Sequence, residues 1–198
     1  TLDARDPCLF EGVTCDRCGA AHDLAIGFPT AVFLPGTLSL DFFRLTRLST
    51  VLIYNTADVA EHGEWLPASA WQNLQNLTFL VMDGLLRGEV PLLSHHTSLS
   101  MVRLVKGALV GNLNNLLGAP LMQLMSAEAA SFNLTNQTGT VELETRVCNS
   151  PRMKNLHLPA HFLRGSLPTC MGTLTNFEDV GIFDQPELEG SIELLLQS

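Results

Sequence analysis

The chain has 198 residues, 46% of them hydrophobic and 16% charged, which suits one folded domain with a substantial core and excludes a disordered chain. Its 20 acidic and 11 basic residues give a net charge of −9, and this acidic balance disfavours nucleic acid and anionic lipid as partners. No apolar run approaches the roughly 18–20 residues needed to span a bilayer, so we expect no direct membrane insertion in this segment.

Three cysteines crowd the N-terminal region, at positions 8, 15 and 18. The spacing Cys15-x-x-Cys18-x-x-x-His22 has something of a zinc site, but zinc sites usually show two well-spaced pairs of ligands, and we predict no metal. The total of five cysteines leaves at least one thiol unpaired or joined to another molecule.

A repeated pattern runs through the rest of the chain, an L-x-x-L-x-L alternation followed by Gly-x-[Leu/Ile/Val]. Its clearest copies begin at Leu99 and Met153, and weaker copies begin at Leu48, Leu77, Ala127 and Phe177. The predicted strands centre near residues 25, 52, 81, 103, 131, 157 and 181. Their mean spacing of about 26 residues lies within the roughly 20–29 residues of a leucine-rich repeat.

This pattern predicts a solenoid. In L-x-L the two apolar side chains point to one side of a short strand, because side chains alternate along a strand. A single turn is too small to bury them, whereas stacked turns bury them in one continuous core. We therefore predict an α/β solenoid, a right-handed superhelix with short parallel strands on its concave side and mostly irregular or 3-10 segments on its convex side. The segments 71–74 and 173–176 are expected among the convex turns.

The register of the predicted strands also indicates which side chains point outward on the concave face. Exposed aromatic, Met and Arg side chains are typical anchors of protein interfaces. The candidate binding residues on this face are Tyr54, Phe79, Val81, Met101, Arg103, His157 and Phe183. The alternative is an error of register, which would place some of these residues in the core.

Three N-glycosylation sequons, at Asn76, Asn133 and Asn136, together with the N-terminal cysteines, favour a secretory route and N-linked glycans. Asn76 precedes a predicted strand, where a glycan is easily accommodated. Asn133 falls on the predicted concave face, where a glycan would cover part of the surface. Either that part of the face does not bind a partner, or Asn136 is the modified residue, or neither asparagine is modified.

The remaining cysteines, Cys148 and Cys170, lie less than one repeat apart and can meet across neighbouring turns. This spacing favours a disulfide, which requires Cα atoms within about 7 Å of each other. For the pair His95-His96 we expect a solvated loop, because no Asp, Glu or Cys accompanies it at ligand spacing. Hydrolase, zinc-protease and phosphate-loop motifs are lacking, so we predict no catalytic residues, no cofactor and no enzyme activity.

The repeat unit resembles the plant-specific type of leucine-rich repeat, L-x-x-L-x-L-x-x-N-x-L-x-G-x-[I/L]-P. The segment from Asp6 to Asp16 is similar to the N-terminal cap of these proteins, usually C-x-W-x-G-V-x-C, with Phe10 in the place of Trp. The resemblance implies a disulfide between Cys8 and Cys15, which leaves Cys18 as a free thiol or as a link to a second chain. The Asn position of the repeat is filled by other residues, such as Thr56, Leu85, Gly107 and His161, which is closer to the repeats of protist surface antigens.

The repeats and the resemblance together imply a secreted or cell-surface protein that binds protein partners. We expect residues 1–22 to form an N-terminal cysteine cap and residues 23–198 a solenoid of about seven turns. The solenoid is expected to continue, or to be covered, beyond Ser198, because an uncapped apolar end is unfavourable. The leading functional expectation is an extracellular module for protein–protein recognition or adhesion. The alternatives are a structural subunit of an extracellular filament or surface coat, assembled with other chains, and an inhibitor of a secreted hydrolase.

Overall fold

The computed structural model describes residues 8, 12–26, 40–56, 67–84, 87–105, 108–128, 141–143, 145–158, 163–182 and 187–189. Their largest element is an eight-stranded sheet. In spatial order its strands are β1 (Val13–Cys15), β2 (Ala21–Ile26), β3 (Thr50–Thr56), β4 (Phe79–Gly84), β6 (Met101–Val105), β8 (Leu124–Glu128), β10 (Asn155–Leu158) and β12 (Asp179–Ile182). The first pair is antiparallel, and every later pair of neighbours is parallel.

Two smaller parallel sheets form around the Gly-x-[Leu/Ile/Val] segments. One pairs β5 (Arg87–Glu89) with β7 (Ala108–Val110). The other places β11 (Leu163–Ser166) between β9 (Val141–Glu142) and β13 (Glu187–Glu189). In the described residues, each main-sheet strand from β4 onward is thus followed by a second short strand, as the predicted repeat requires.

Short 3-10 helices precede strands of the main sheet. In the described residues they span Leu40–Arg44, Ala68–Asn73, Leu113–Leu116, Thr145–Asn149 and Thr169–Thr173. Two of them begin directly after a proline, Pro67 and Pro168. The carbonyl of Pro67 accepts a hydrogen bond from the amide of Ala70 at 3.1 Å, and that of Pro168 accepts one from the amide of Met171 at 2.9 Å. Proline suits this position because it has no backbone N–H group that would need a partner. Within the described part of the chain no helix is long and apolar enough to cross a membrane.

The core consists of the side chains that alternate to one face of the main sheet, packed against the segments that precede each strand. The members from four central strands are all at most 5% exposed: Val51, Ile53, Leu80, Met82, Val102, Leu104, Leu156 and Leu158. Phe42, Phe43 and Trp71 add an aromatic cluster, with ring centroids 5.0–6.2 Å apart and edge-to-face angles. No single turn holds enough of this apolar surface to fold alone, so the turns stabilise one another.

A second row, whose members are buried except for the half-buried Leu45, lies three residues before the first residue of each L-x-x-L-x-L unit. We call it the turn row, because the carbonyl of each member accepts a hydrogen bond from the amide three residues later. Its members are Leu45, Leu74, His96, Ala119, Ser150 and Leu174. Two of the six are polar and fully buried, and both use the side chain to reach the preceding turn. His96 Nε2 lies 3.0 Å from the carbonyl oxygen of Trp71, and Ser150 Oγ donates to the carbonyl oxygen of Ala119 at 2.8 Å.

The burial of His96 corrects the expectation of a solvated histidine pair, since only His95 is exposed. Burial lowers the pKa of His96 below its ordinary value, and this effect outweighs the opposing contacts with the carbonyls of Trp71 and Leu93. The neutral ring must carry its hydrogen on Nε2 to donate to a carbonyl oxygen. Its Nδ1 atom finds no hydrogen-bond partner among the described residues.

The N-terminal segment is held by a disulfide and a close backbone contact. Cys8 and Cys15 are bonded, with Cα atoms 5.7 Å apart, so the thiol of Cys15 is not available for the zinc alternative. Gly12 has φ +84°, and a Cβ on it would lie 1.9 Å from the carbonyl oxygen of Ala25. Only glycine lets β1 run this close to β2, where the Ala25 amide donates to the Gly12 carbonyl at 2.7 Å.

Asp16 joins this segment to the turn that precedes β3. Its carboxylate accepts the backbone amides of Ala20 at 3.0 Å and Cys18 at 2.8 Å, and it lies 3.0 Å from the guanidinium of Arg47. The amide of Ala20, followed by the contacts with Cys18 and Arg47, lowers the pKa of Asp16 below its ordinary value although slight burial opposes this.

The second disulfide joins two successive turns. Cys148 lies in the 3-10 helix Thr145–Asn149 and Cys170 in the helix Thr169–Thr173, and their Cα atoms are 6.0 Å apart. The structure thus forms the bond that the spacing favoured. Cys18 is exposed and takes part in no disulfide.

The strand predicted near residue 131 is misplaced. The strand that follows β6 in the sheet is β8, in which Met125 and Ala127 pair in register with the core residues Val102 and Leu104. The repeat unit therefore begins at Met122 rather than at Ala127. Met and Ala at the core positions obscured the Leu pattern there, and the later apolar alternation around Ala130 and Phe132 lies outside the described residues.

Candidate recognition face

The face of the main sheet that points away from the core corresponds to the predicted concave surface. We call it the open face. Because the strand pairing is in register, equivalent positions form straight rows across it. The central row consists of Ala25, Leu52, Val81, Arg103, Ser126, His157 and Gly181. The row on the side where the strands begin, here the entry row, consists of Asp23, Thr50, Phe79, Met101, Leu124, Asn155 and Asp179.

An apolar patch lies in the middle of the open face, on β3, β4 and β6. Phe79 is 39% exposed, and among the described residues it is the one large hydrophobic side chain that is exposed. Met101, its neighbour in the entry row, and Leu52 in the central row are half-buried. We call these three residues, together with Val81, the apolar patch.

Val81 departs from the expectation of an exposed binding residue. It lies in the central row, as predicted, but it is only 6% exposed. It does not belong to the core cluster, because its neighbours Leu80 and Met82 take the core side of β4. Val81 therefore lies at the floor of the patch and contributes little to its exposed surface.

Charged groups border the patch on both sides. Asp23 begins the entry row and contacts His22 at 3.1 Å and Ser49 Oγ at 3.1 Å. Burial raises the pKa of Asp23, but hydrogen bonds from Thr50, His22 and Ser49 outweigh it, and the pKa is lowered overall, which keeps the carboxylate ionised. On the other side Arg103 follows Val81 in the central row and is exposed. The patch thus has an anionic and a cationic border.

The part of the open face on β10 and β12 is polar. His157 Nε2 lies 2.8 Å from a carboxylate oxygen of Asp179, and both side chains are partly exposed. Gly181, next to His157 in the central row, adds no side chain that would cover this pair. One residue before the entry row, Lys154 forms an ion pair with Glu178. Because these pairs are exposed, each contributes little to stability and remains accessible to a partner.

Comparison with protein-family models and with curated protein sequences finds no match. Solved structures do match. The crystal structure of a pollen receptor kinase 3 has a TM-score of 0.57 and 18% sequence identity, over 94% of this chain and 85% of that chain. The structure titled PEPR1-AtPEP1 has a TM-score of 0.56 and 18% identity, over 92% of this chain, which spans only 27% of the PEPR1 chain. Both are leucine-rich-repeat ectodomains of plant receptor kinases.

The chain has a leucine-rich-repeat fold.

An identity of 18% shows a shared fold and no shared function. The leucine-rich-repeat fold explains the rows of the open face, since each turn presents the same strand positions. Five of the seven predicted binding residues lie on this face in register: Phe79, Val81, Met101, Arg103 and His157. Tyr54 lies on β3, two residues after Leu52 of the central row, and is half-buried. Phe183, Asn133 and Asn136 lie outside the described residues.

Asp23 and Thr50 also lie on the open face, in the entry row, although they were not among the predicted binding residues. The alternation Leu24-Ala25-Ile26 places Asp23 on the same side of β2 as Ala25, so the signal was present in the sequence. In the described part of the chain no group of three or more His, Cys, Asp or Glu side chains is arranged to hold a metal ion.

Proposed function

We propose that this leucine-rich-repeat protein is an extracellular recognition module whose open face binds a protein partner through the apolar patch. The observation that carries the proposal is the exposure of Phe79 in the middle of the sheet. An aromatic side chain costs free energy when it faces water, and exposed aromatic residues at the centre of a surface are typical anchors of protein interfaces. The half-buried Met101 beside it extends the apolar surface.

The charged borders give the proposed interface a direction. An anionic group at Asp23 and a cationic group at Arg103 lie on opposite sides of the patch, along the direction in which the strands stack. A partner with an apolar side chain between a basic and an acidic group would match this order. Such complementarity contributes mainly to orientation and to the rate of association, while the buried apolar contact contributes most of the affinity.

The two disulfides support an extracellular location, because structural disulfides persist in oxidising compartments and are rare in the cytosol. Within this proposal, the described sheets are one side of a right-handed solenoid of about seven turns formed by residues 23–198, and residues 1–22 form its N-terminal cap. A protein that binds a partner through this face could serve in adhesion at a cell surface or could inhibit a secreted hydrolase, and both functions are consistent with the proposal.

The proposal is tested by capture of partners with matched variants. Tagged wild type, Phe79→Asp and Ser69→Asp are added to extracellular fluid or culture medium of the source organism, and the bound proteins are identified and quantified. Ser69 is exposed in the 3-10 helix Ala68–Asn73, so its variant adds the same charge away from the open face. We expect one partner that wild type and Ser69→Asp retain and that Phe79→Asp loses at least tenfold. Equal capture by all three proteins would contradict a role of the open face.

A structural subunit remains the second candidate, and the exposed thiol of Cys18 is the observation that favours it. A disulfide between two Cys18 residues would join chains at their N-terminal ends. Size-exclusion chromatography with light scattering distinguishes the two functions. A recognition module is a monomer with and without reductant. A protein linked through Cys18 is a dimer or a larger assembly without reductant, becomes smaller in reductant, and loses this link in Cys18→Ser.

A further inference from the structure

Asn76 occupies an exposed turn between the 3-10 helix Ala68–Asn73 and β4. The residue after it, Leu77, is fully buried and fixes the turn to the core. The following Thr78 completes the sequence Asn-Leu-Thr, which is an acceptor sequence for N-linked glycans. Among the described residues this sequon therefore combines the required sequence with an exposed amide and a rigid anchor.

The amide group of Asn76 spans two turns. Its Nδ2 atom donates to the carbonyl oxygen of Thr46 in the preceding turn, at 3.1 Å. Asn176, in the turn before β12, makes the equivalent bond to the carbonyl oxygen of Pro151 at 2.8 Å. The two asparagines are both exposed, and each immediately precedes the first core residue of its repeat. They differ in the next two residues, because Phe and Glu come after Asn176 and do not complete a sequon.

We propose that Asn76 carries an N-linked glycan, an inference that rests on the proposed extracellular location. The donor is an oligosaccharide bound through a diphosphate to a membrane lipid. The bond between sugar C1 and the diphosphate oxygen breaks, C1 bonds to Nδ2 of Asn76, Nδ2 releases one proton, and the lipid diphosphate leaves. Nδ2 keeps one hydrogen after this transfer. The glycan is therefore compatible with the bond to the Thr46 carbonyl, which needs a single N–H group.

The position of this glycan would limit how the molecule packs. Asn76 lies three residues before Phe79, at the edge where the strands enter the open face. A bulky, hydrated glycan at this edge prevents close packing of another copy of the chain against it. The apolar patch itself faces away from the core on β4, so a partner can still reach it from the opposite edge. The glycan thus disfavours assembly of copies through the edge where the strands begin, and it leaves the open face available for recognition of a partner.

The test is secretion of the full chain from a eukaryotic host as wild type, Thr78→Ser, Thr78→Ala and Glu178→Thr. Peptide mass spectrometry around Asn76 and Asn176, with and without peptide N-glycosidase, locates each glycan. We expect a glycan on Asn76 in wild type and Thr78→Ser and none there in Thr78→Ala. Glu178→Thr creates a sequon at Asn176 and should gain a glycan at that equivalent position, while it loses only the exposed ion pair with Lys154.

A secreted wild type with an unmodified Asn76 peptide would overturn the inference, and so would Glu178→Thr modified at Asn176 alone. These results are independent of the partner. Loss of the glycan with intact capture through Phe79 leaves the recognition proposal standing, whereas a glycosylated protein whose capture does not depend on Phe79 contradicts only that proposal.

Discussion

Glycine 12 shows how one backbone contact fixes the N-terminal segment. Its φ of +84° and the position of the Ala25 carbonyl leave no room for a Cβ atom. Gly19 has a similar φ of +76°, but a Cβ there would meet no atom within 4 Å. Gly19→Ala should therefore lose only the backbone preference, about 1–2 kcal/mol. Gly12→Ala should lose clearly more, because β1 must move away from β2.

Chemical unfolding of the two glycine variants measures this difference, and mass spectrometry shows whether the bond between Cys8 and Cys15 still forms. Equal destabilisation by Gly12→Ala and Gly19→Ala would mean that the contact with Ala25 contributes nothing beyond the φ preference.

His96 should make stability depend on pH in the acidic range. Its pKa is lowered in the folded state, so the unfolded chain binds the proton first as the pH falls. The contribution of neutral His96 to the free energy of unfolding should therefore be fully present above about pH 6.5, the ordinary pKa of histidine. It should fall as the pH decreases from there to the lowered pKa of the folded state. The carboxyls of Asp16 and Asp23 also have lowered pKa values and lose their contribution only at lower pH, below their ordinary value of 3.8.

Urea unfolding at a series of pH values tests this dependence. His96→Leu introduces the residue found at Leu74 and Leu174 in the same turn row and should flatten the slope below about pH 6.5. Ser150→Ala removes the other buried polar bond of the row and should keep the slope of the wild type. An unchanged slope in His96→Leu would show that another group titrates in this range.

The turn row also shows why residue-level reasoning from the sequence was incomplete. A histidine pair without acidic neighbours is usually solvated, and periodicity places only apolar residues in the core with certainty. His96 is buried because it occupies the position of Leu74 in a neighbouring turn. Alignment of the turns by their Leu-x-x-Leu spacing would have revealed this. The burial of Val81 was not predicted for a different reason. Alternation indicates the face on which a side chain lies but not how much of that side chain is exposed.

The bond between Cys148 and Cys170 holds two successive 3-10 helices together. Removing such a bond typically costs about 2–4 kcal/mol, because the unfolded chain gains conformational freedom. Cys148→Ser with Cys170→Ser should lower the stability to chemical unfolding by this amount and leave the sheet intact. Cys18→Ser is the control and should leave stability unchanged, since Cys18 is exposed and not bonded. An unstable Cys18→Ser would show that this thiol has a partner in the folded molecule.

The strands were predictable where Leu, Ile or Val fills the core positions. β3, β6, β10 and β12 lie at the predicted places, because two branched side chains separated by one residue leave a single choice of face. β4 also lies at its predicted place, where Leu80 fills one core position and Met82 the other. β8 was misplaced because Met125 and Ala127 are weaker signals than the alternation after them. The order and the parallel register of the strands follow from the repeat, whereas the contacts that border the open face depend on side chains that no repeat specifies.

The whole molecule combines a uniform scaffold with an uneven surface. The core rows repeat from turn to turn, while the open face changes from an anionic border at Asp23 through the apolar patch to the polar pair of His157 and Asp179. A recognition surface is expected to concentrate binding energy in a few buried anchors. Phe79→Ala should therefore weaken partner binding by at least tenfold, and His157→Ala should weaken it less, which a titration of the captured partner would measure.

The most direct test of recognition through the open face is hydroxyl-radical footprinting of the wild type, alone and saturated with the captured partner. We predict that oxidation of Phe79 and Met101 decreases strongly in the complex. Oxidation of Phe177, which precedes β12 and packs against the core, should not change. Unchanged oxidation of Phe79 and Met101 in a saturated complex would contradict recognition through the open face, because the partner would then bind another surface of the molecule.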